Sequence, residues 1–156
     1  MGAVASLILL VVLGLILVSA GIEDARKREI ANWKNAAIAL LAVPWWIANG
    51  LQLWPDIAIQ IGVAIAVFAL FAGAFHFGMM GGGDVKMIGA LALWFPLQPL
   101  IMMLVIMSLA GGVITLLMLI DKWLRRQSGQ PEVPYGIAIA IAALLTIREP
   151  ILNQFS

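Results

Sequence analysis

From Ala3 to Ile22 the chain runs twenty residues without a charged side chain. At 1.5 Å per residue such a run makes roughly 30 Å of helix, enough to cross the hydrocarbon core of a bilayer. Backbone groups in lipid must be satisfied within the segment, so an uninterrupted apolar run of this length can only be a helix. Comparable runs follow at about Ala36 to Leu53, Ile57 to Phe77 and Leu100 to Ile120. A shorter one, Val85 to Phe95, stops at Pro96, and a last one extends from Pro134 to Ile147. A transmembrane barrel would alternate polar and apolar residues, whereas Ile57 to Leu70 is apolar on every face except at Gln60. The expected fold is therefore all-α: one polytopic membrane domain spanning residues 1–156.

Composition narrows the function. With 63% hydrophobic and 11% charged residues and a mean hydropathy of +1.07, no soluble domain fits beside the spans. A net charge of +1 without a basic tail offers nothing to nucleic acid. Cysteine is absent, which excludes disulfides, thiolate catalysis and cysteine zinc sites. The single histidine, His76, cannot make a metal site alone, so no metal and no cofactor is expected. Met1-Gly2 carries no Lys or Arg ahead of the first apolar run, so that run reads as a retained helix rather than a cleaved signal.

Charge placement decides whether the short Val85–Phe95 piece crosses. If it does, the loops after the first, third and fifth spans share one side and hold eight of the nine Lys and Arg residues, leaving only Arg148 opposite. If it does not, the Lys122-Arg125-Arg126 loop moves away from the Arg26-Lys27-Arg28 loop. The positive-inside rule selects six transmembrane helices with N- and C-termini outside, on the periplasmic face. All six tryptophans lie near span ends, where interfacial belts are expected.

Within this frame Gly81-Gly82-Gly83-Asp84-Val85-Lys86 stands out. A carboxylate so near lipid is expensive and faces a cavity or a partner, and the glycines let another backbone or a substrate come close. A second carboxylate would complete a site that shares one proton, as in aspartic proteases. The cytoplasmic candidates are Glu23, Asp24, Glu29, Asp121 and Glu132. Asp24, two residues past Ile22, is best held by helix geometry. The bland reading makes Asp24 and Asp84 interfacial anchors paired with Arg26 and Lys86.

Gly81-Gly82-Gly83-Asp84 fits the Gly-x-Gly-Asp motif of membrane aspartyl proteases, and the run through Lys86 into an apolar helix resembles the type IV prepilin peptidase family. In that family the first aspartate follows span one and precedes an Arg-Ile-Pro-Asn-like element. Here Asp24 precedes Arg28-Glu29-Ile30-Ala31-Asn32, with Glu29 inserted and Ala31 in place of proline. Pro134-Tyr135-Gly136 resembles the Pro-Tyr-Gly element of small members. The resemblance implies catalytic Asp24 and Asp84, with Gly81, Gly83, Lys86, Asn32 and Tyr135 binding substrate or shaping the site. It implies a prepilin partner, leader plus hydrophobic N-terminal helix, cleaved at the cytoplasmic face of a bacterial inner membrane. Larger members carry a four-cysteine insertion associated with N-methylation; lacking it, this chain looks like the minimal type of Flp (tad) pilus systems, without methyltransferase activity. Two alternatives stand beside it, a presenilin-like intramembrane protease and a non-enzymatic subunit or small carrier.

Among the other polar and small residues, His76 is expected at the interface, and Gln60 and Asn49 near the outer face. The pairs Ala69–Gly73 and Ser108–Gly112 have the spacing of close helix contacts. Met79 and Met80 offer a pliable wall for a substrate helix.

Overall fold

The computed structural model describes residues 2–125 and 133–153, with side chains to residue 147. The loop residues Arg126 and Glu132, and the side chain of Arg148, lie outside the described residues. Six helices follow one another: α1 (Gly2–Lys27), α2 (Asn32–Ala48), α3 (Ala58–His76), α4 (Gly82–Leu91), α5 (Leu97–Arg125) and α6 (Tyr135–Asn153). A π-type turn over Leu53–Ile57 leads into α3. No strand occurs among the described residues.

Three stretches are long and apolar enough to cross a membrane: Gly2–Lys27, Leu53–His76 and Leu97–Arg125. The first extends beyond its expected end at Ile22, so Asp24 belongs to the helix proper. The fourth starts three residues before Val85 and ends at Leu91 instead of Phe95. Its 10 residues make about 15 Å of helix, half a bilayer core.

This short helix is the centre of the bundle. It packs on α2, α3 and α6, and apart from Lys86 it is buried from Asp84 to Leu91. A helix ending inside apolar surroundings leaves carbonyls that must find donors. Gln60 Nε2 donates to the carbonyls of Ala92 and Phe95, and Trp46 Nε1 donates to Leu93 at 2.8 Å. Trp94 Nε1 in turn donates to the carbonyl of Ile38. These bonds correct two expectations. Gln60 is not an ordinary polar residue but a buried partner of the chain after α4, and Trp46 and Trp94 are core side chains rather than belt residues.

The remaining contacts depend on small residues, because lipid supplies no hydrophobic force between helices. The residues at work are not the expected pairs: Ala69 and Ser108 are exposed, and a Cβ at Gly73 or Gly112 would meet nothing within 4 Å. Gly21 instead brings α1 onto Ala140 of α6, and Gly111 of α5 receives the ring of Tyr135. The packed face of α1 is a helical stripe of Ser6, Leu10, Leu13, Leu17 and Ala20, and Asp24 continues it.

Candidate active site

The C-terminal end of α1 meets the N-terminal ends of α2, α4 and α6, and the polar residues collect there. α1 ends at Arg28, whose φ of 57° is the left-handed turn that closes many helices. Glu23, one turn earlier, ties this end to α2. Its carboxylate accepts from Lys34 Nζ at 2.8 Å and from the Ala31 amide, while Lys34 also donates to the Ser19 carbonyl at 3.0 Å. Lys34 is buried for this purpose, a role with no motif to announce it.

Asp24 is 4% exposed, and its Oδ2 has no hydrogen-bond partner among the described residues. The first turn of α6 presses against it. A Cβ on Gly136 would stand 2.8 Å from the Asp24 carboxyl carbon and 2.9 Å from Ile30 Cδ1. Ile30 also packs on Gly83, where a Cβ would stand 3.4 Å from its own. This isoleucine, part of the Arg28–Asn32 element but given no site role by the sequence, therefore wedges between the two glycine-bearing elements beside the carboxylates.

Asp84 is the third residue of α4, behind its N-cap Gly81. Its Oδ2 folds back over Gly81, in the manner of a capping box, so closely that a Cβ there would approach to 3.0 Å. The helix N-terminus favours the negative charge. Two bonds fasten this turn to α2: Asn35 Nδ2 donates to the Gly83 carbonyl at 3.2 Å, and Lys86 Nζ donates to Asn32 Oδ1 at 2.8 Å.

Asp24 and Asp84, distant in sequence, thus line one cavity of about 340 Å³ together with Arg28, Glu29, Ile30, Asn32 and Gly81 to Gly83. Neither forms an ion pair among the described residues, so the anchor pairing with Arg26 and Lys86 is not what the structure displays. Of the expected site residues, Gly81, Gly83 and Asn32 line the cavity and Lys86 stands behind Asn32. The Tyr135 ring lies on Gly111 instead, and its neighbour Gly136 is the one that reaches Asp24. His76 is exposed beside Phe77, and Asp121 pairs with Arg125. Among the described residues no group of three His, Cys, Asp or Glu side chains is placed so that it could hold a metal ion.

Two buried carboxylates on one cavity hold a single proton between them more easily than none, which is the state that can activate a water molecule. No curated protein and no solved structure matches the chain. The type IV leader peptidase family model, however, matches residues 9–116, a stretch that runs from α1 into α5 and contains both aspartates. With well over half of its 156 residues in that match, the chain belongs to the type IV leader peptidase family.

Proposed function

We propose that this multi-pass membrane protein is an aspartyl endopeptidase that removes the N-terminal leader from prepilins at the cytoplasmic face of the inner membrane. The observation that carries the reading is the meeting of Asp24 and Asp84, both buried, on one cavity. The ionised carboxylate takes a proton from a water lying between the pair, and the protonated one donates to the scissile carbonyl oxygen. Water oxygen bonds to the carbonyl carbon, the C–N bond breaks, and the leaving amine receives the proton.

The cytoplasmic placement rests on reading all six helices as crossings. The ends of α1, α2, α4 and α6 that meet at the cavity are those that alternating crossings put on one side, and that side carries Arg26, Lys27, Arg28, Lys34 and Lys86. Because α4 is only 10 residues long, Asp84 would sit below the neighbouring headgroups in a wet notch, with Asp24 at its rim. The minimal chain would cleave without methylating. The test is cleavage of a candidate prepilin by purified protein: appearance of the leaderless product supports the reading, and an intact prepilin under conditions where the protein is folded refutes it.

A further inference from the structure

A second concavity, of about 550 Å³, opens sideways between α2, α3 and α4. Its lining is largely apolar and includes the small residues Ala36, Ala39, Ala64 and Ala90. Small residues let the backbone of an incoming helix approach closely. Three observations separate it from ordinary lipid-facing surface.

Asn32 lines both this groove and the carboxylate cavity, so the two adjoin at its side chain. Lys86, bonded to that asparagine, stands where they join. Asn35 is 5% exposed, lines the groove, gives its Nδ2 to the Gly83 carbonyl, and keeps an Oδ1 with no partner among the described residues. That oxygen is itself enclosed, so what marks this end of the groove for a polypeptide rather than a lipid chain is its place against the carboxylate cavity.

We infer that the α2–α3–α4 groove seats the apolar helix of the substrate, its first turn at Asn35 and the preceding extended segment entering the carboxylate cavity through the Asn32 junction. The inference rests on the peptidase reading above and adds where the substrate lies. A helix held there places the peptide bond just before its first turn beside Asp24 and Asp84, which makes the groove a determinant of where cleavage falls.

The test uses the full-length protein in nanodiscs with a full-length prepilin. A photoreactive benzoylphenylalanine is placed at Ile65 on the groove or at Ile8 on the outward face of α1, both exposed. Cross-linking of the prepilin helix from Ile65 but not from Ile8 is the expected result. A36F, which fills the groove from an exposed position, is expected to raise KM for prepilin about tenfold with kcat and thermal melting unchanged. If the parent cleaves prepilin while Ile65 captures only lipid or a second copy of the chain, or A36F leaves KM unchanged, the groove inference fails and the peptidase reading stands. If the parent cleaves no prepilin and neither probe captures it, both fail.

Discussion

Gly136 lies so close to Asp24 that a methyl group in its place would stand 2.8 Å from the carboxyl carbon, nearer than side-chain atoms pack. The start of α6 is therefore one wall of the Asp24 environment, and its shape sets where that carboxylate can point. Gly136→Ala is expected to displace Asp24 or lift α6, at an overpacking cost of about 1–3 kcal/mol. If the displacement falls on the reacting geometry, turnover drops by about tenfold or more, since each 1.4 kcal/mol is a factor of ten. Gly112→Ala is the matched control, because a Cβ there meets nothing within 4 Å. Steady-state kinetics on the two variants checks the pair, and equal activity would remove α6 from the site.

Replacing either aspartate by asparagine should abolish leader cleavage while leaving the fold intact. A neutral amide can neither take a proton from water nor share one, and general acid–base groups contribute typically about 10²–10⁴ in rate. Loss on that scale in both D24N and D84N, with unchanged melting, is the expected outcome. Near-normal turnover in either would drop that residue from the pair and turn attention to Glu29, which lines the same cavity.

Strong chelators should not inhibit. The chain has no cysteine and one histidine, so carboxylates are its available catalytic set. Activity lost to EDTA and restored by zinc or magnesium would count against a proton-sharing mechanism.

The absence of cysteine also makes topology directly measurable. Single cysteines introduced at Ser128 and, separately, at Asn49 should react with impermeant reagents from opposite sides, Ser128 from the cytoplasm. Asn49 is exposed just beyond the end of α2, so its label will not be masked by packing. Reaction of both from one side would rule out six crossings and remove the shared face of the two aspartates.

Part of this arrangement was readable before any coordinates. Asp84 declares itself by the glycines ahead of it, and Asp24 by its place two residues beyond an uncharged run. In Pro134-Tyr135-Gly136 the contact with Asp24 is made by Gly136 and not by the Tyr135 ring, since only a residue without a side chain lets the α6 backbone come that close. Gln60 looked incidental because the carbonyls it satisfies, at Ala92 and Phe95, come from a helix that stops short.

By itself the amino-acid sequence determined that the chain lives in a bilayer, where its helices fall to within a few residues, and which two carboxylates are candidates for one site. Long apolar runs and charge asymmetry are local properties, and solvent alone gives them meaning. Tertiary structure decided which faces meet. In water the buried face of a helix shows as an apolar stripe, but α1 is apolar on all sides down to Ile22, so the stripe that Asp24 continues carries no compositional mark. What selects that stripe is close fit: Gly21 against Ala140, Ile30 between Gly83 and Gly136, and α4 held in the centre by Gln60 and Trp46. Those contacts join residues far apart in the chain, and only the folded bundle brings them within reach.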